Sequence, residues 1–227
     1  MRRLYLLLSI VVLSGSAVPA FSVLPDSDQP LRTLYLIRHG DYDYDNDEDP
    51  DVGKALVSLG RQQARLVAER LDGLPISYTS LQASTMTRAR QTAEILAEAL
   101  PELEVELRRD IRECTPPTRR TDIMARLEPG EAEECLAQLV AARNRLFEPA
   151  TTADAHDIIV CHGNVIRWLV CQALEVESEA WLGMSIANCS VTIIQIKADG
   201  SRKLICFADA GHIPYSMTTY PGVEAPQ

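Results

Sequence analysis

Two stretches of this chain follow one local plan. "LYLIRHGDY" (34–42) is an apolar run that stops on Arg38, His39 and Gly40, and "DIIVCHGNVIRW" (157–168) is an apolar run that stops on His162 and Gly163 before a helical pattern begins. A run of this kind, bounded by glycine and followed by helical periodicity, is the mark of a buried strand entering a strand–turn–helix unit. The chain has four histidines, and two of them occupy this same frame. Sites in such folds form beyond the carboxyl ends of strands, and a glycine there lets the backbone turn and a ligand approach. If the two strands are neighbours, the two imidazoles face one pocket.

The rest of the chain supplies the units this requires. Strands are expected at Thr33–Arg38, Ile76–Thr79, Val105–Leu107 and Asp157–Cys161, and a hairpin of Ser190–Lys197 and Lys203–Asp209 turns at Asp199-Gly200. Helical spacing covers Ser58–Leu71, Thr85–Leu100, 130–147 and Val165–Leu174. Strands alternating with helices imply a three-layer α/β/α sandwich with a mostly parallel central sheet. With 227 residues the chain holds one sizeable core. We place the domain at 32–215, after a linker at 21–31 and before a tail at 216–227.

Residues 1–20 open with two arginines, continue through a short apolar stretch and reach Val18-Pro19-Ala20. This is a signal-peptide layout, with an uncleaved membrane anchor as the alternative, and either implies export. In an oxidising compartment the six cysteines can pair, but there is no CxxC and no metal-site spacing. Cys161 and Cys171 read as small core hydrophobes. Cys114 and Cys135 fall in expected surface regions and are candidates to pair. The net charge of −10 excludes a bulk nucleic-acid binder, which needs a basic footprint.

The chemistry concentrates near the two histidines. Arg38 precedes His39, and Arg88 lies at the start of a helix in "TRARQTAEIL". Guanidinium forks match phosphate oxygens, and a helix start at His162-Gly163 favours an anion. Two arginines, two histidines and a helix terminus describe a phosphate cradle. Within it one histidine can act as nucleophile, and an acidic side chain is needed to protonate the leaving group.

These residues resemble the histidine phosphatase superfamily, which includes the cofactor-dependent phosphoglycerate mutases. The likeness rests on "LIRHG" (36–40), "LVSLGRQQA" (56–64), "STMTRARQTAEIL" (84–96) and "VCHGNVIRWLVCQAL" (160–174), in the family's order. It implies a phosphorylated His39, with Arg38, Arg88 and His162 on the phosphoryl group, the backbone of Gly163 assisting, and no metal or other cofactor. Within the superfamily, "TMTRA" (85–89) and residues 160–182 look most similar to the mitochondrial phosphoglycerate-mutase-like serine/threonine protein phosphatases. By that likeness Glu113, after Ile111-Arg112, is the general acid at the mouth, with Asp110 as its stand-in, and Tyr42 could line the mouth or simply pack. The expected partner is a phosphorylated protein or small molecule; the oligomeric state is not legible.

The loop after the first histidine, "DYDYDNDEDPD" (41–51), departs from the mutases. Asp45 stands at the place of their asparagine, which argues against mutase activity. As a calcium loop it fits poorly, because Asn46 replaces the turn glycine and Val52 the bidentate glutamate. Its carboxylates suit repulsion of polyanions and favour a single phosphate on a neutral or cationic carrier. Other readings are a phosphatase-like binding module, a small-molecule phosphatase, and a calcium-organised surface protein. Trp168 and Trp181 read as core, and His156 and His212 receive no role.

Overall fold

The computed structural model describes residues 29–221. The expected signal segment, most of the linker and the last six residues lie outside the described residues. Among those described, no helix is long and apolar enough to cross a membrane.

Six strands form one sheet: β1 (Arg32–Arg38), β2 (Ser80–Ser84), β3 (Val105–Arg108), β4 (Ala155–Cys161), β5 (Val191–Ile196) and β6 (Arg202–Asp209). Their order is β3-β2-β4-β1-β5-β6. The β1–β4, β2–β4 and β2–β3 pairs are parallel, whereas β5 runs antiparallel to both β1 and β6. The sheet is therefore mixed, with a parallel centre. The hairpin turns at Gly200, whose φ of +80° suits glycine.

Helices α1 (Ser58–Asp72), α2 (Thr87–Ala99), α4 (Glu131–Leu146) and α5 (Gly163–Ala173) cover the sheet, and a single turn, α3 (Thr121–Met124), precedes α4. Alternation along the strands builds two cores. Tyr35 and Ile37 of β1 join Ile158 and Val160 of β4 under Ala64, Val67, Ala93 and Leu96 of α1 and α2. Leu34, Leu36, Ile159 and Cys161 point the other way, against Leu139 and Ala142 of α4 and Val165 and Trp168 of α5. Burying each such aliphatic side chain stabilises the fold by ~1.5–3 kcal/mol. Trp168 and Trp181 are buried, as is Cys161.

Three expectations change. The second strand is Ser80–Ser84, not Ile76–Thr79. Residues 76–79 approach the sheet after the Gly73 turn, and only Thr79 bonds across, its N–H reaching the His156 carbonyl at 2.8 Å. Ladder pairing with Asp157 starts at Ser80, so Leu81 and Ala83 fill the core. Cys114 and Cys135 are joined in a disulfide, but Cys135 is buried rather than at the surface. The start of the expected tail packs on the domain: the Met217 carbonyl and Thr219 Oγ1 accept from Gln63 Nε2 at 2.7 and 2.9 Å.

Candidate active site

Strand register brings the histidines together. Arg38 lies opposite Cys161 in the parallel β1–β4 pair, and the next N–H, that of His39, donates to the Cys161 carbonyl at 3.0 Å. His39 and His162 therefore leave neighbouring strand ends side by side, their ring centroids 5.0 Å apart. Both are buried.

The His39 ring has a defined orientation. Nδ1 lies 2.8 Å from the Gly40 carbonyl, which can only accept, so Nδ1 carries the proton. Nε2 then keeps its lone pair in the neutral ring, and the Nε–H of Arg88 donates to it at 3.2 Å. Burial, then Arg88 and Arg38, hold the His39 pKa well below that of an ordinary histidine. Burial likewise lowers His162, with His39 and the arginines adding to it. Its Nε2 pairs with Ser84 Oγ at 2.8 Å, while its Nδ1 has no partner.

Several other polar atoms in the cluster are shielded from solvent and unpartnered: Arg38 Nε, Arg88 Nη1, Thr87 Oγ1 and Glu113 Oε2. Buried cations and donors without partners are costly, so unpartnered Arg38 Nε and Arg88 Nη1 beside the two histidines describe a seat for an anion. Arg38 is held by its Nη1, which donates to the Ile186 carbonyl at 2.6 Å. Arg88 lies on the first turn of α2, its guanidinium 4.7 Å from the centre of the Tyr42 ring. Tyr42 stands edge-on to His39 at 5.2 Å and stacks on Tyr44 at 4.0 Å. Tyr42 thus lines the cluster.

Glu113 lies deeper than a mouth residue. It follows the short 3₁₀ turn Arg109–Ile111, whose Ile111 is anchored in the core. The residue is partly exposed, yet its carboxylate points inward and Oε1 accepts the Asn164 N–H at 3.3 Å. Burial raises its pKa against the opposing pull of Arg38 and Arg88. Asp110 is not in the cluster: it takes both Nε and Nη2 of Arg145, at 2.9 and 3.0 Å. At Gly163 an added Cβ would meet Arg38 Cζ at an ordinary 3.5 Å, so close packing does not demand glycine there.

A polar scaffold not read from the sequence supports the cluster. Thr92 Oγ1 accepts the Gly40 N–H at 3.1 Å, Gln63 Oε1 accepts the Asp41 N–H at 2.9 Å, and Asn188 Nδ2 donates to the His39 carbonyl at 2.9 Å. Gln63 and Asn188 are fully buried. A Cβ on Gly60 would lie 1.9 Å from the Asp41 carbonyl oxygen, and one on Gly40 2.5 Å from the Gly60 oxygen. The start of α1 therefore touches the histidine loop backbone to backbone. "SLG" (58–60) was the available signal, but nothing in its sequence said what the glycine touches. Among the described residues no group of three His, Cys, Asp or Glu could hold a metal ion.

A protein-family model for the histidine phosphatase superfamily (branch 1) matches residues 34–208. The chain is 36% identical over 198 residues to the mitochondrial serine/threonine-protein phosphatase Pgam5 of Caenorhabditis elegans, covering 83% of this chain and 66% of that protein. It is 35% identical over 187 residues to the Xenopus tropicalis protein of the same name, covering 81% and 66%. The chain thus spans just under two thirds of the length of these relatives. Their names overturn the expectation of export, since both are mitochondrial proteins. Among solved structures, Bacillus stearothermophilus YhfR superposes with a TM-score of 0.67 at 22% identity, covering 81% of this chain and 100% of that one, and so shares the fold. With the model running from β1 into β6 and enclosing both histidines, the chain belongs to the histidine phosphatase superfamily, branch 1.

Proposed function

We propose that this chain is a metal-independent phosphomonoesterase that works through a phosphohistidine at His39. The observation that carries the reading is the unpaired nitrogen set, Arg38 Nε, Arg88 Nη1 and His162 Nδ1, gathered around a neutral His39 whose Nε2 bears the lone pair. A tetrahedral phosphoryl group would satisfy the two arginine donors and, with Ser84 Oγ–H donating to His162 Nε2, the proton this leaves on His162 Nδ1.

In this reading Nε2 of His39 attacks phosphorus as the bond to the leaving oxygen breaks. The arginines and His162 take the equatorial oxygens, with the Gly163 N–H assisting at the start of α5. Glu113, whose burial favours the protonated form, gives its proton to the departing oxygen. Its carboxylate then takes a proton from water, which attacks phosphorus and releases His39 and inorganic phosphate. Tyr42, packed against both His39 and Arg88, flanks the entering ester.

We assign the substrate class to phosphoserine and phosphothreonine in proteins, as the names of the curated relatives suggest. The exposed carboxylates of Asp43, Asp45, Asp47 and Asp49 support this by favouring a neutral or basic carrier over a polyanion. Phosphate release from para-nitrophenyl phosphate and a phosphopeptide panel, with a chelator present, tests the reading. The activity should vanish in H39A; activity that survives H39A, or that the chelator abolishes, would contradict it.

A further inference from the structure

The acid proposed above sits on an irregular segment with a covalent tie beside it. Residues 112–120 have no regular structure. They run between Ile111 in the core and Pro117, whose carbonyl accepts from Trp181 Nε1 at 3.1 Å. Between these anchors, Cys114 is bonded to Cys135 on the second turn of α4. Cys135 is buried in the core cluster that contains Leu139 of the same helix. The disulfide thus fastens the residue next to Glu113 to a rigid part of the molecule.

The remaining ties are noncovalent: Arg112 is ion-paired with Asp51 and donates to Thr85 Oγ1 at 2.8 Å. Gln138 Nε2 donates to the Arg112 carbonyl at 2.9 Å, and Asn164 Nδ2 donates to the Cys114 carbonyl at 2.9 Å. The carboxylate itself has only the longer bond from the Asn164 N–H. Arg38 ends β1 and Arg88 lies on α2, while His39 and His162 directly follow β1 and β4, so all four lie outside this segment.

We propose that the Cys114–Cys135 disulfide is a positioning device for Glu113, and that its reduction disarms leaving-group protonation while leaving attack by His39 intact. This rests on the reading of Glu113 as the acid. The step is a thiol–disulfide exchange: a dithiol passes two electrons and two protons to the sulfurs, giving two cysteine thiols and a cyclic disulfide on the reductant. The expected signature is a dependence on the leaving group. A nitrophenolate departs without a proton, whereas the alkoxide of serine needs one.

The experiment compares oxidised protein with protein reduced by dithiothreitol, on para-nitrophenyl phosphate and on a phosphoserine peptide, with thiols counted. Because a general acid contributes ~10²–10⁴-fold, the first-turnover transfer from the peptide to His39 should fall about tenfold or more on reduction while the first-turnover burst of nitrophenolate changes less than about twofold. Steady-state turnover of both esters slows, since Glu113 also activates the water of the second step. Reoxidation should restore the wild type. C135S should show the same split permanently, and its first-turnover burst of nitrophenolate reports that it is folded. A verified reduction that leaves the first-turnover peptide rate unchanged, or lowers the first-turnover rates of both esters equally, would overturn the proposal. E113Q gives the reference split in the first-turnover rates, with steady-state turnover of both esters lowered; if its first-turnover rates show no split, Glu113 is not the acid, and the underlying assignment falls together with the proposal.

Discussion

Arg88 Nε donates to His39 Nε2 at 3.2 Å, so the atom proposed to attack phosphorus is capped by a guanidinium that must turn to the phosphate when substrate enters. The Arg88 fork can exchange one acceptor for another without leaving α2. R88A should lower kcat by ~10²–10³-fold, the scale of removing one pre-aimed charged donor. R88K should not restore it, because an ammonium cannot hold His39 and an oxygen in one plane. Steady-state kinetics on an aryl phosphate checks both.

The pH profile of kcat/KM should be bell-shaped. His39 must be neutral, and its depressed pKa keeps it so until the pH has fallen well below 6.5. Glu113 must be protonated, and its raised pKa extends that form above 4.5. Activity on a phosphoserine peptide should therefore fall on the alkaline side as Glu113 ionises, and on the acid side as His39 gains a proton. D110N should leave the alkaline limb in place, since Asp110 is paired with Arg145 outside the cluster. Stability should weaken on the acid side as well. The unfolded histidines bind protons below about 6.5 while buried His39 and His162 resist them, so melting temperature should drop as pH falls through that value.

G60A should damage the site from a distance. Its Cβ would fall 1.9 Å from the Asp41 carbonyl oxygen, an overlap that only a backbone shift relieves. Overpacking of this kind costs ~1–3 kcal/mol, and here the shift would also move the loop carrying His39. Thermal melts and kcat should both fall; an unchanged protein would show that the contact is not tight.

Replacing Asp43, Asp45 and Asp47 with asparagine should raise kcat/KM for polyanionic esters relative to a basic phosphopeptide. These side chains are exposed, so the effect should shrink as salt is added. A ratio that does not move would remove the loop from substrate selection.

What the sequence made legible was what recurs in local patterns. The two apolar runs ending in His-Gly identified β1 and β4, and the register of those strands does the rest. Helical periodicity located α1, α2, α4 and α5 to within two residues of their observed starts and ends. β2 was misplaced because "SLQAS" carries little strand character, and its pairing with β4 decides its position. Glu113 was expected at the mouth because "ECTPP" reads as loop; its inward turn depends on Ile111 in the core and on Asn164 across the chain. Gln63, Thr92 and Asn188 were invisible, since a buried polar side chain looks like any surface one until its partner is known.

The most direct test of the central claim is chemical trapping of the intermediate. Wild-type protein mixed with radiolabelled phosphoryl substrate and quenched in alkali within the first turnovers should carry an acid-labile, alkali-stable label, mapped by mass spectrometry to His39 and lost in H39A. A wild-type protein that releases phosphate from the same substrate yet carries no label at His39 would contradict the account.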